Sequence, residues 1–415
     1  MRKIILGALV AMVLAACAKE EASIAKIEEV KNPYAVTTDE AVQLLQTVIG
    51  GESTRAISVG EIKTLRKSDF VPTTRGADDG DLIYIVDLEN GGSAIMGADK
   101  RMEPIYAILD ETKVSPEQLT LTATRSGDGE QDIEEYVMGL VNAKIGADAS
   151  TFAFPEMPIV PRPQIYTRTV NILTKAPLLR TKWESSTPYS NAFPTGVGLT
   201  CGPIALSQLY YYHRFPTHIG SRYFNWALIS EYEIEGTQST TAASEVAAFV
   251  YSVATSMEGP NQNENMTNVG GLLYSMRNAG YSSVQSKSYG VYDIQTMLNR
   301  NTPCIVYGDD PNYPVYGHHA WIIDGCNFFN VNTYEREFNG LDPSIYTDTL
   351  ISSVQTRLVH CNYGWGGEAD GYYNSGVFDT TEILDDEYVD TSVGDEQVSG
   401  GGYFSNNLGL IYYEK

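Results

Sequence analysis

The sequence predicts an α+β protein with segregated layers, on three observations. Apolar residues at helical spacing fill one stretch, strand-like runs rich in β-branched and aromatic residues follow it, and a separate hairpin signature stands ahead of both. A chain of 415 residues is long for one core and comfortable for two domains. Its formal charge of -24 argues against nucleic acid as a partner, because phosphate backbones need clustered Lys and Arg.

Arg2 and Lys3, an apolar run from Ile4 to Leu14, and Ala15-Ala16-Cys17 read as an export signal over residues 1–16, too short for a stable membrane span. Residues 17–32 read as a polar tether. Thr38 and Glu40, ahead of Ala41, Leu44, Leu45 and Val48, predict a short amphipathic helix ending near Gly50. Leu82 to Leu88, a turn through Asn90-Gly91, and Ser93 to Met96 predict a hairpin, so residues 33–150 form a small α+β domain. Pro155, Pro158, Pro161 and Pro163 predict an extended, protease-accessible linker over 151–176.

The second domain, 177–415, begins with three helices. The first runs from Pro203 to Arg214, with Ala205, Leu209 and Tyr212 on one stripe and Pro216 as a stop; Ala242 to Met257 and Val291 to Asn299 follow. Strands are expected at Cys304 to Tyr307, Ala320 to Asp324, Leu358 to Asn362, Gly376 to Phe378 and Leu408 to Tyr412.

Setting Cys17 aside leaves four cysteines, too few for a disulfide scaffold once one is a reactive thiol. No Cys-x-x-Cys pair or His-Glu-x-x-His helix suggests a metal site. Cys201 stands in Gly198-Leu199-Thr200-Cys201-Gly202-Pro203, where a loop enters a helix, and Pro suits the first helical turn. There the helix dipole and unpaired N–H groups favour thiolate and can receive an oxyanion, with Gly202 a donor candidate. The base that such a thiol needs is sought among five His. His318 and His319 precede a strand about 120 residues downstream, and alternation lets only one face the thiol. His360 competes, two residues from Asn362. Asn362 opens a glycine-rich turn, and its amide can accept from an imidazole N–H, with Trp365 as a shield. This chemistry requires no cofactor and no metal.

These motifs resemble the streptopain family, bacterial cysteine proteases of papain-like fold made as inactive precursors. Pro177-Leu178-Leu179-Arg180-Thr181-Lys182-Trp183 resembles the family's lead-in to the catalytic domain, and Ala205-x-x-Gln208 its nucleophile helix. Gly317-His318-His319-Ala320-Trp321 resembles the Gly-His-Ala strand, which selects His319, and Asn362-Tyr363-Gly364-Trp365-Gly366-Gly367 resembles the Asn-Trp-Gly-Trp-Gly-Gly turn. Tyr84-Ile85-Val86 through Arg101 resembles the propeptide hairpin. The resemblance implies a papain-like fold, protein or peptide substrates, catalytic Cys201, His319 and Asn362, and a propeptide that inhibits in cis. Ser185 replaces the Gln that family members often carry as oxyanion donor, Gly202-Pro203 replaces Val-Ala, and Tyr363 replaces Trp. Leu14-Ala15-Ala16-Cys17 resembles a bacterial lipobox, and Lys19-Glu20-Glu21 a surface-export signal of Bacteroidetes lipoproteins. Together they imply acylation of Cys17 and an outer-membrane lipoprotein facing the cell exterior. Two other readings stay open: a thiol amidase or acyltransferase, and a binding or inhibitory pseudoprotease.

Overall fold

Thr37 and Glu40 open the first helix by capping each other: the Thr37 N–H donates to Glu40 Oε2 (2.8 Å) and the Glu40 N–H to Thr37 Oγ1 (3.2 Å). The computed structural model describes residues 32–49, 58–70, 80–89, 91–116, 163–235, 239–257, 269–311, 318–339, 344–378, 380 and 404–415. Residues 36–415 make one compact unit, and of the preceding segment residues 32–35 form a turn. The export signal, Cys17, Gly317 and the first three linker prolines lie outside the described residues.

The elements are α1 (Thr38–Ile49), β1 (Val59–Arg66), a single-turn α2 (Lys67–Phe70), β2 (Asp81–Leu88), β3 (Ser93–Gly97), β4 (Ile105–Leu109) and β5 (Gln164–Lys175). Then come α3 (Cys201–His213), β6 (His218–Ile219), β7 (Arg222–Tyr223), α4 (Trp226–Glu235), α5 (Thr240–Ser256), α6 (Val269–Ala279) and β8 (Ser282–Ser288). The chain closes with α7 (Val291–Asn299), β9 (Cys304–Asp309), β10 (His318–Phe338), β11 (Tyr346–Asn362), β12 (Gly371–Asn374) and β13 (Asn406–Glu414). The α+β class expected from the sequence is the one that forms.

One antiparallel sheet runs β1-β2-β3-β4-β12-β11-β10-β9-β13-β8, with β5 added to β10. The N-terminal hairpin therefore continues the sheet of the C-terminal region, joined where Leu109 faces Gly371 and Ile108 faces Tyr372. Gly371 is needed there, since a Cβ would meet the Ile108 carbonyl oxygen at 2.4 Å. Strand β2 is apolar nearly throughout because both its faces are buried. Ile83 and Ile85 enter the large core around α3, whereas Tyr84, Val86 and Leu88 enter a second core under α1.

Four expectations change. Residues 164–175 are not an open linker but a strand paired along β10, from Gln164 opposite Arg336 to Lys175 opposite Cys326. The strand expected at Gly376 to Phe378 is a turn after β12: Gly376 adopts φ +95° and the Val377 N–H closes onto the Asn374 carbonyl. Helix α3 is buried on all sides from Gly202 to Tyr211, not along one stripe, because it lies between the sheet and α5 and α6. Strands β10 and β11 reach 21 and 17 residues, far beyond the apolar stretches that signalled them. Cross-strand pairs carry the polar extension: Arg336 forks onto Asp348 at 2.8 and 3.0 Å and its guanidinium lies 3.7 Å from the Tyr346 ring centroid.

Candidate active site

Cys201 is the first residue of α3 and half-buried, with extended Thr200 as its N-cap. The Thr200 side chain makes no capping bond, so it takes none of the first-turn N–H groups. Helical spacing puts Ile204 and Gln208 on the same face as Cys201. Both touch the turn that ends β11. A Cβ on Gly364 (φ +76°) would stand 2.9 Å from Ile204 Cγ2, so only glycine lets the turn come this close. The Gln208 amide donates to Asn362 Oδ1 at 3.0 Å.

His319 arrives from the other side, on β10, and is only 4% exposed. Its Nε2 lies 2.9 Å from the Tyr363 carbonyl oxygen. A carbonyl only accepts, so Nε2 carries the hydrogen, and in the neutral ring Nδ1 is then the basic nitrogen. The ring lies 4.6 Å from the Trp365 ring, 5.2 Å from Phe404 and 6.0 Å from Trp321, centroid to centroid. This aromatic wall excludes water and offers π-faces to an imidazolium. The turn after β11 thus holds the face of the Cys201 helix through Ile204 and Gln208, and the imidazole through Tyr363.

Asn362 does not perform the part expected of it. Its Oδ1 accepts from Gln208 and from the Gly364 N–H (3.2 Å), and its Nδ2 donates to the Thr181 carbonyl (2.8 Å). Both lone pairs of Oδ1 are committed, so the acceptor for His319 is the main-chain carbonyl of the next residue. Thr181 completes this buried network by donating through Oγ1 to Gln208 Oε1 at 2.6 Å. Gln208 stands seven residues after Cys201, the spacing that shares a helix face; a main-chain acceptor leaves no trace in residue types.

The remaining candidates fall in place as follows. Gly202 is buried in the first turn of α3. Ser185 is half-buried, two residues beyond Trp183, whose carbonyl accepts the Gly366 N–H at 3.3 Å. His318 faces away from His319 and pairs with Asp309. His360, the competing imidazole, is held by Asp324 at 2.7 Å and Asp110 at 2.9 Å. Cys304, Cys326 and Cys361 are free and buried; burial raises all three thiols, Cys326 to about 12. Of the four described cysteines, Cys201 alone is not fully buried.

A helix-entry thiol and a sheet-borne imidazole, whose elements meet at one turn within an α+β fold, are the parts that thiol–imidazole nucleophilic chemistry requires. Residues 183–373 match the model of the Peptidase C10 family. No curated protein sequence matches the chain. Among solved structures it is similar to a prointerpain A fragment of Prevotella intermedia, at 15% identity and a TM-score of 0.44, over 84% of this chain and 98% of that one. It is also similar to the active interpain A cysteine protease of the same organism, at 18% identity and a TM-score of 0.38, over 57% of this chain and 94% of that one.

Proposed function

We propose that the chain is the precursor of a secreted endopeptidase that cleaves peptide bonds through Cys201 and His319. The observation that carries this reading is the His319 Nε2 bond to the Tyr363 carbonyl, on the turn that also packs against the Cys201 helix. In this mechanism the Cys201 thiol passes its proton to Nδ1 of His319, and the sulfur attacks the scissile carbonyl. The oxyanion is received at the first turn of α3, where Gly202 supplies an N–H, with Ser185 a second candidate donor. Collapse breaks the C–N bond; the amine leaves with the proton held by His319, and a thioester remains on Cys201. Water, deprotonated by His319, hydrolyses the thioester and restores the thiol.

The N-terminal region, residues 33–150, is the propeptide in this reading. Its described part grips the glycine-rich turn: Thr112 Oγ1 accepts the Ala369 N–H at 3.3 Å, the Asp110 N–H donates to the Asp370 carbonyl at 3.0 Å, and Glu111 pairs with Lys182. The propeptide acts by completing the sheet and clamping this turn. Maturation removes it by cleavage ahead of residue 177.

Selective alkylation tests the site. At pH 6.5 iodoacetamide is expected to label Cys201 of the activated protein at least about 100-fold faster than Cys304, Cys326 or Cys361, and His319→Ala is expected to remove most of that advantage. Equal labelling of all four thiols under native conditions sinks the assignment. Anchoring through acylated Cys17 is proposed on the lipobox-like Leu14-Ala15-Ala16-Cys17. Cys17→Ser is expected to move the protein from the membrane fraction to the soluble exported fraction, read by fractionation and metabolic labelling with a fatty acid. An unchanged distribution with no label in the parent protein rejects it.

A further inference from the structure

The Tyr363 peptide unit that orients His319 is itself held, on its N–H side, by a carboxylate that the mechanism above leaves unused. Asp370 Oδ1 accepts the Tyr363 N–H at 2.9 Å, and Asp370 is buried, with 6% of its surface exposed. Two bonds therefore run in series: carboxylate to the Tyr363 amide, and Tyr363 carbonyl to His319 Nε2. The carboxylate stands on a rigid base. Ala369 before it is held in the left-handed region at φ +58°, a conformation unfavourable for a residue with a Cβ, and Gly371 after it is pressed against β4. Its own N–H is bonded to the Gly367 carbonyl at 3.2 Å.

We propose that Asp370 is a positioning residue for the thiol–imidazole pair: by fixing the Tyr363 amide it aims the Tyr363 carbonyl, and so the imidazole, at Cys201. The inference rests on the catalytic reading of Cys201 and His319. The part played by Asp370 is that of a hydrogen-bond acceptor. Burial pushes its carboxyl up to about 7, against the opposing pull of His360 and the Tyr363 N–H. Much of the population near neutral pH is therefore uncharged, and Asn, with the same Oδ1, is a close mimic. Misplacing a base by about 1 Å costs on the order of 100-fold in rate, without a matching loss of substrate binding.

The test compares Asp370→Ala and Asp370→Asn in the proteolytically activated enzyme, reading kcat, KM and the pH profile of Cys201 alkylation by iodoacetamide. Asp370→Ala is expected to lower kcat by about 10- to 100-fold with KM within about twofold, and to shift the acid limb of the alkylation profile toward that of an isolated thiol. Asp370→Asn is expected to restore kcat to within about threefold and to return the acid limb to its wild-type position. A folded Asp370→Ala enzyme with unchanged kcat and acid limb overturns the proposal. So does an Asp370→Asn enzyme that is folded but as slow as expected for the alanine variant, which decides the matter if Asp370→Ala does not fold. The wild-type profile separates this from failure of the catalytic reading. If wild-type Cys201 shows no acid limb that depends on His319, that reading is wrong and the positioning role falls with it; if the limb is present and the Asp370 variants leave it unmoved, only the positioning role is wrong.

Discussion

Replacing Cys201 with Ala is expected to abolish peptide hydrolysis, lowering kcat by about 10,000-fold or more while the protein stays folded. The size follows from the chemistry. Without Sγ no thioester forms, and what remains is the weaker help of the N–H groups and of substrate binding. The folded state should tolerate the change well, because Cys201 is half-buried at a helix start and Ala is the best helix former. A melting temperature within a few degrees of the parent protein is the control. His319→Ala should cost a similar factor, and the double variant little more than either single one, because nucleophile and base act as a unit. The assay is hydrolysis of casein or a fluorogenic peptide after proteolytic activation. Hydrolysis surviving in Cys201→Ala at more than about 1% of the parent rate refutes the assignment. Amine incorporation without hydrolysis in the parent protein favours the acyltransferase alternative.

Sequence made the helix at Cys201, the hairpin and most core strands legible because each carries a periodic apolar signal. The segment 164–175 failed for a physical reason. It alternates Ile165, Thr167 and Thr169 as a strand does, but most of its side chains are exposed or half-buried, so the nearby prolines dominated the reading. The distal parts of β10 and β11 failed likewise, since Arg336, Asp348 and their aromatic neighbours stabilise a strand through cross-strand pairs that no local pattern displays. At the site, residue types pointed to Cys201 and His319, and the structure brings His319 and the helix that Cys201 opens against one turn. The role given to Asn362 was misread because side chains are visible in sequence and carbonyls are not: Asn362 braces the turn, and the Tyr363 backbone does the accepting. Asp370 escaped notice because an isolated acidic residue after glycines looks like solvated loop, whereas here it is buried.

The other large effect is expected from His360→Ala, which should destabilise the full-length protein by about 3–5 kcal/mol. His360 bridges the two regions, donating through Nδ1 to Asp324 at 2.7 Å and through Nε2 to Asp110 at 2.9 Å, with Asp370 and the Tyr372 ring also facing it. Asp324 has 1% of its side chain exposed, so loss of the imidazolium strands a buried carboxylate whose remaining partner is the Leu179 N–H at 2.8 Å. The Asp110 side chain is 41% exposed, so Asp110→Asn should cost no more than about 1 kcal/mol. Burial works against a charged ring, yet the charge of Asp324 and the bonds to Asp110 and Asp324 outweigh it and hold the His360 pKa well above its ordinary value. The sign follows: a raised imidazole stabilises the folded protein fully below about pH 6.5, and that contribution fades as pH rises through the elevated folded value. Glu103, which burial pushes up to about 7 where it accepts from Thr356, acts in the same direction, as does Asp370. Both carboxyls are protonated more readily folded than unfolded, so stability declines between about pH 4.5 and 7. Denaturant titrations from pH 5 to pH 9 should therefore show the full-length protein losing stability on the alkaline side. The penalty for His360→Ala should be larger at pH 6 than at pH 9. A penalty below about 1 kcal/mol, or one independent of pH, means that the imidazole is not the charged bridge between the N-terminal and C-terminal parts of the sheet.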